Sequence, residues 1–293
     1  MNEKIWITGA KGMLGQELSA LASQHSYHTI LSDIEVDITN ESSVESFIEK
    51  HQPSVLVNCA AYTAVDLAET EKDLNYKINA TGPQVLGKVL APKNIPILHI
   101  STDYVLNGKS PNPLRPSDAY SPVNEYGKAK MQGELFLKES GASVWILRTA
   151  WLYGIHGKNF VKTMLHLMQN KEELRVIHDQ FGNPTWTLNL AEAILQIIQS
   201  KSHFGTYHYT GDGITSWYDF AKAIQELGLQ YGLLSKSIPI HPVSSSEFVT
   251  PAKRPLWSAL SKTEVQETFG VQVPHWKEAL KKYIQLESTH APD

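Results

Sequence analysis

Within its first fifteen residues the chain passes from an apolar run, Lys4-Ile5-Trp6-Ile7-Thr8, through Gly9-Ala10-Lys11-Gly12-Met13-Leu14-Gly15 into a stretch with apolar residues at helical spacing. A strand that turns on glycine into a helix leaves backbone amides free at the helix N-terminus, where a phosphate can sit. Each glycine has its own reason. Gly9 makes the tight turn off the strand, Gly12 lets backbone approach a pyrophosphate, and Gly15 lets the helix lie close on the sheet. Such glycines alone are a weak motif, but their place between a first strand and a first helix makes them a dinucleotide cradle. About 20 residues further on, Asp33 follows the second strand, where an acid can bind adenine-ribose hydroxyls. Lys11, inside the turn, could instead favour a 2′-phosphate, so NAD and NADP both stay open.

The first half of the chain then alternates. Strands are predicted at residues 28–31, 55–58, 95–100 and 144–147, and helices at 14–22, 42–50, 73–90 and 125–138. That alternation specifies an α/β fold, a Rossmann-type doubly wound and mainly parallel sheet with helices on both faces. After about residue 148 the rhythm breaks into aromatic and proline-rich stretches. We therefore expect a dinucleotide-binding domain over residues 1–150 with a return segment near 186–213. A smaller, partly interleaved α/β substrate-binding domain is expected from 151–185 and 214–293. With 293 residues the chain can bury a core for both.

Charge and composition narrow the partners. A formal charge of −4 gives no general attraction to nucleic acid or to an anionic membrane. No apolar segment has signal or membrane-spanning length, so a cytoplasmic location is expected. The single cysteine, Cys59, lies in an apolar run and reads as a small core residue, and the twelve histidines show no metal-ligand spacing.

A second constellation carries chemistry. Thr102 lies at the carboxyl end of a predicted strand, the edge of a parallel sheet where ligands bind, and Tyr126 and Lys130 stand four apart on a predicted helix. A tyrosine hydroxyl titrates near 10, and a nearby ammonium would favour its ionised form and bring the proton within reach of transfer. Tyr126 is then a general acid, and the Thr102 hydroxyl could hold a substrate carbonyl beside it. Tyr-x-x-x-Lys alone also arises on ordinary half-exposed helices; its order after the cradle and the Ser101-Thr102-Asp103 segment is what favours chemistry.

With these segments in place the chain resembles the extended, nucleotide-sugar-modifying short-chain dehydrogenases/reductases, and within them the dTDP-4-dehydrorhamnose reductase family. The similarity runs through Asn58-Cys59-Ala60-Ala61-Tyr62-Thr63-Ala64-Val65-Asp66, Ser101-Thr102-Asp103-Tyr104-Val105, Asn159-Phe160-Val161-Lys162-Thr163-Met164, Asp179-Gln180-Phe181-Gly182-Asn183-Pro184-Thr185 and Pro251-Ala252-Lys253-Arg254-Pro255. The resemblance implies Thr102, Tyr126 and Lys130 as the catalytic trio. It implies that Gly9, Gly12, Met13, Leu14, Gly15, Asp33, Asp37, Ile38, Ala60, Ala61, Tyr62 and Thr63, with Tyr126 and Lys130, line the cofactor. Thr102, Asp103 and Trp151 would touch substrate, and Lys253 and Arg254 its diphosphate. The implied reaction is reduction of the C4 ketone of dTDP-4-dehydro-L-rhamnose by NADPH or NADH, for surface polysaccharide such as lipopolysaccharide O-antigen.

Some members of the family bridge a homodimer through magnesium. Glu17 matches one such acid, but Leu188 stands where a second is expected, so no metal site is expected here. Two alternatives share the cradle. A nucleotide-sugar epimerase or dehydratase would normally carry more substrate-domain sequence, and a dehydratase a glutamate where Tyr104 stands. A non-catalytic regulatory subunit would tend to lose catalytic groups that are all present here.

Overall fold

The computed structural model describes residues 3–108 and 111–290. Residues 1–2 and 291–293, the outer ends of the two expected domains, lie outside the described residues. The chain begins with β1 (Lys4–Thr8), α1 (Met13–Gln24), β2 (His28–Leu31), α2 (Glu41–His51) and β3 (Val55–Asn58). Next come α3 (Lys72–Tyr76), a π turn (Lys77–Thr81), α4 (Gly82–Leu90), β4 (Ile97–Thr102), α5 (Glu125–Glu139) and β5 (Val144–Thr149). The second half runs β6 (Leu152–Tyr153), α6 (Phe160–Asn170), β7 (Leu174–Ile177), β8 (Phe181–Gly182), β9 (Thr185–Trp186), α7 (Thr187–Ser200) and β10 (Gly205–His208). It ends with β11 (Thr215–Ser216), α8 (Trp217–Gln230), β12 (Ile240–Val243), α9 (Thr263–Phe269) and α10 (Trp276–His290).

Six parallel strands form one sheet in the order β2-β1-β3-β4-β5-β10. Its middle strands are apolar without alternation because helices cover both faces. On one face α1 and α7 meet through Leu14, Leu18, Leu190 and Ile194, and on the other Val44, Ile48, Leu86, Val89 and Leu137 of α2, α4 and α5 close the core. A separate cluster, with Tyr153, Val161, Phe220, Ile224, Leu280 and Tyr283, holds α6, α8 and α10 together. The two halves dovetail: Val265 and Phe269 of α9 pack into the sheet's own core.

The helix predicted as one piece over 73–90 is interrupted by the π turn. Pro83 has no N–H to donate to the carbonyl of Asn79, and the wider turn before it takes up the break. The strand predicted at 95–100 is displaced to 97–102, which makes Thr102 its last residue. Helix α5 is fixed from both ends. Asn124 caps it by accepting from the Gly127 N–H at 2.7 Å. Two turns on, the buried Glu134 accepts from Tyr120 Oη at 2.7 Å, from Ser101 Oγ, and from Arg148 Nε and Nη2 at 2.9 and 2.8 Å. Tyr126, Lys130 and Glu134 share one helix face, so this clamp to β4 and β5 also sets where the first two point. Among the described residues no helix is long and apolar enough to cross a membrane.

Candidate active site

The strand order turns at β1, with β2 on one side and β3 on the other, so the loops leaving β1 and β3 part and open a crevice at the carboxyl edge. A cavity of about 890 Å³ fills it and continues to the ends of β4 and β5. The glycine turn forms one wall. Gly9 has φ +61°, and a Cβ there would lie 2.7 Å from the Ala60 nitrogen; a Cβ on Gly15 would lie 2.3 Å from the Gly9 carbonyl oxygen. Helices α2 and α5 are capped by asparagine side chains, whereas α1 starts at Gly12 with no side-chain cap. The donors of its first turn are thus left for an incoming anion, and a dinucleotide pyrophosphate fits this cradle.

Gly9, Gly12, Met13, Leu14, Gly15, Asp33, Asp37, Ile38, Ala60, Ala61 and Thr63 all line the cavity. The Asp33 carboxylate accepts from the Lys11 N–H at 2.9 Å and the Ile34 N–H at 3.0 Å, tying the turn to the end of β2. Asp37 accepts from the hydroxyl and N–H of Thr39, which hold its carboxyl below the usual range. Tyr62 is the exception: its main chain is pinned by Asn79, and its hydroxyl donates to Glu71 at 2.7 Å, outside the cavity lining.

Thr102, Asp103, Tyr126 and Lys130 meet on the facing wall. The Thr102 hydroxyl donates to Asp103 Oδ1 at 2.9 Å, while Asp103 Oδ2 is buried without a hydrogen-bond partner. Burial pushes the Asp103 carboxyl up to about 6. Tyr126 is also driven up, first by burial and then by the Asp103 charge, with the Thr102 hydroxyl opposing. This corrects the expectation of a phenol drawn down by Lys130. The Lys130 ammonium group turns instead to the Ile100 carbonyl at 2.7 Å and His99 Nε2 at 3.2 Å, and burial pulls it down to about 8.

Trp151 follows β5 in the left-handed region at φ +49° and stacks on Trp217, ring centroids 3.5 Å apart and 10° from parallel. Both line the cavity opposite the glycine turn. Trp217 was not singled out from sequence, since an aromatic in the first turn of a helix has no spacing to distinguish it from core. Lys253 and Arg254 line a neighbouring cavity of about 550 Å³ with Phe181 and Trp257. Here too the structure corrects an expectation: Arg254 is already engaged, donating to both Asp66 oxygens at 3.0 Å and to Thr250 Oγ1 at 2.7 Å. Its fork straps the 250–254 loop to the segment after β3. Among the described residues no group of acids, histidines or cysteines could hold a metal ion. Glu17 is buried and accepts from Thr187 Oγ1 at 3.0 Å.

Residues 3–288 match the family described as the RmlD substrate binding domain. A dTDP-4-dehydrorhamnose reductase from Aggregatibacter actinomycetemcomitans is 39% identical over 285 residues, covering 95% of this chain and 97% of that protein. A crystal structure of a dTDP-4-dehydrorhamnose reductase from Clostridium acetobutylicum superposes with a TM-score of 0.91 at 44% identity, covering 97% of this chain and 99% of the other. One from Bacillus anthracis, in complex with NADP, also gives 0.91, at 37% identity and the same coverage.

Proposed function

The chain belongs to the dTDP-4-dehydrorhamnose reductase family, and on that membership and the geometry of its cavity we propose that it reduces the C4 ketone of dTDP-4-dehydro-L-rhamnose to dTDP-L-rhamnose with NADPH or NADH. The observation that carries the reading is the meeting of Thr102 and Tyr126, at the ends of β4 and α5, with a glycine turn whose backbone packing leaves no room for a Cβ at Gly9 or Gly15.

The nicotinamide cofactor supplies the hydride. The chain's residues do the rest. The glycine turn and the first turn of α1 hold the pyrophosphate; Asp33 takes ribose hydroxyls, and the exposed Lys11 lies where it can meet a 2′-phosphate. Tyr126 gives its phenolic proton to the carbonyl oxygen as that oxygen gains charge. Burial and Asp103 keep the proton on the phenol until an alkoxide, a much stronger base, claims it. Thr102 orients the carbonyl, and the Trp151–Trp217 stack forms an apolar wall for the sugar. Lys253 takes the substrate diphosphate at the second cavity, with Arg254 holding its loop in place.

We assign residues 1–150 with the return segment 186–213 to the cofactor and 151–185 with 214–293 to the substrate, a division that the apolar clusters on the sheet and around α6, α8 and α10 follow except at Trp186 and at α9, whose Val265 and Phe269 join the sheet's core. We place the work in the cytoplasm, where such a deoxysugar nucleotide would be supplied for surface polysaccharide. The test is purified protein with the 4-keto-sugar nucleotide and each reduced cofactor, following nicotinamide absorbance. Consumption of cofactor with formation of the 4-hydroxy sugar is expected; none with either cofactor overturns the reading.

A further inference from the structure

Past the end of β2, charged side chains crowd one corner of the cofactor cavity, and the mechanism above uses only Asp33 and Lys11 among them. Asp33, Asp37, Lys11 and Lys77 line the cavity there, and Glu35 joins two of them from outside the lining. Its carboxylate is seated by two contacts. Oε1 accepts from the Asp33 N–H at 2.8 Å, and Oε2 lies 3.8 Å from Lys11 Nζ. Main-chain N–H groups of Glu35 and Asp33 hold the Glu35 carboxyl below the usual carboxylate range, so it stays ionised at neutral pH. The second lysine faces a carboxylate too, Lys77 Nζ lying 3.9 Å from Asp37 Oδ2. More than half of each of these paired side chains is open to solvent, and exposed pairs of this kind add little to stability. Their charges still act on whatever binds between them.

The two nicotinamide cofactors make opposite demands on this corner. The adenine ribose of NADH carries a 2′-hydroxyl, a donor, and each Asp33 oxygen, which accepts one backbone N–H, keeps a lone pair for it. The 2′-phosphate of NADPH brings acceptor oxygens and roughly −1.5 to −2 charge at pH 7. It meets three carboxylates, Asp33, Glu35 and Asp37, against two ammonium groups that each already face a carboxylate. Lys11 can meet the phosphate only while sharing its charge with Glu35, because the Asp33 N–H keeps Glu35 beside it.

We propose that Glu35 is a specificity-determining residue, a fixed negative charge beside Lys11 that weakens the binding of NADPH relative to NADH. The inference deepens the reductase reading and rests on its cofactor site. Specificity is a difference between two affinities, and a group that repels one ligand sets it as surely as a group that attracts the other. Asp33 acts on both cofactors, through the bond it offers one ribose and the charge it shows the other. Glu35 lies outside the cavity lining and offers no bond to either ribose, so it acts through charge, on the phosphate alone.

The experiment is titration of the purified protein with NADPH and with NADH, followed by tryptophan fluorescence, for wild type and Glu35→Gln. Glutamine keeps an oxygen for the Asp33 N–H and loses the charge, so the turn is preserved. The dissociation constant of NADPH should fall about threefold to tenfold while that of NADH moves by less than about twofold. The gain should shrink in high salt, which screens exposed charges. A ratio of the two constants that stays at its wild-type value overturns the proposal. So does an equal shift of both, since that would make Glu35 a prop of the turn rather than a discriminating charge. Binding needs no sugar nucleotide. Wild-type protein that binds both cofactors but reduces no keto sugar sinks the reductase reading and leaves the proposal standing; protein that binds neither overturns the proposal together with the cradle.

Discussion

The two walls of the cavity are made of different material. The cofactor side is main chain: a turn in which Gly9 and Gly15 leave no room for a Cβ, and a helix start without a cap. The proposed substrate side is side chains from distant segments, with Trp151 stacked on Trp217. Main-chain recognition is set by local sterics and tolerates little change. Side-chain recognition can be retuned residue by residue, and that is how one fold serves many sugar nucleotides. Thr102 and Tyr126, on the wall facing the glycine turn, stand where the two sides meet.

The largest expected effect falls on that middle ground. Tyr126→Phe removes the proton donor and nothing else of size, so kcat should drop about 10²–10⁴-fold while cofactor affinity holds. Single-turnover assays beside a cofactor titration check it. A mutant that turns over near the wild-type rate removes Tyr126 as the acid, and one that loses cofactor affinity too would make Tyr126 part of the cofactor wall.

Gly12→Val tests the main-chain wall. Its backbone is ordinary at φ −71°, and an added Cβ would meet only the Gly9 oxygen at 3.1 Å, so the fold should survive. The branched methyls would occupy the space of the pyrophosphate. Overpacking of that kind costs about 1–3 kcal/mol, a rise of about fivefold to 150-fold in the cofactor dissociation constant. Tryptophan fluorescence titration measures it, and an unchanged constant would mean that the turn does not hold the dinucleotide.

The contrast also explains what could be read in advance. The glycine turn, the strand and helix alternation and the Thr102, Tyr126, Lys130 order are short-range patterns, and each leaves its imprint in adjacent residues. The break of the 73–90 helix was signalled by Pro83, whose missing N–H outweighed the helical periodicity. Trp217, the Arg254–Asp66 strap and the buried polar contacts of His99 depend on contacts between residues far apart in sequence, and composition carries no trace of them. The proton state of Tyr126 was misjudged for the same reason. Spacing places Lys130 on the same face of the helix, but only the fold shows its Nζ donating to the Ile100 carbonyl and lying 3.2 Å from His99 Nε2.

On the substrate wall a smaller effect is expected. Trp217→Ala removes the ring on which Trp151 rests, and an aromatic pair contributes about 0.5–1.5 kcal/mol beyond its buried area. The KM for the sugar nucleotide should rise roughly twofold to tenfold, with cofactor affinity and kcat close to wild type. Steady-state kinetics with each substrate varied in turn separates the two. An equal loss on the cofactor side would show that the walls are coupled and break the comparison.

The smallest expected effect is none at all, on removal of metal. Magnesium asks for several hard oxygen ligands in near-octahedral array. Glu17 offers one carboxylate, and it is turned inward to accept from Thr187. The next position, Leu188, packs its apolar side chain against both core clusters and supplies no oxygen. A twofold axis would double this set to two carboxylates, each already hydrogen-bonded within its own chain. EDTA should therefore leave both turnover and molar mass by light scattering unchanged, and added magnesium should restore nothing. A dimer that falls apart in EDTA and re-forms with magnesium would mean that Glu17 leaves Thr187 on assembly and that acids elsewhere on the surface complete the site.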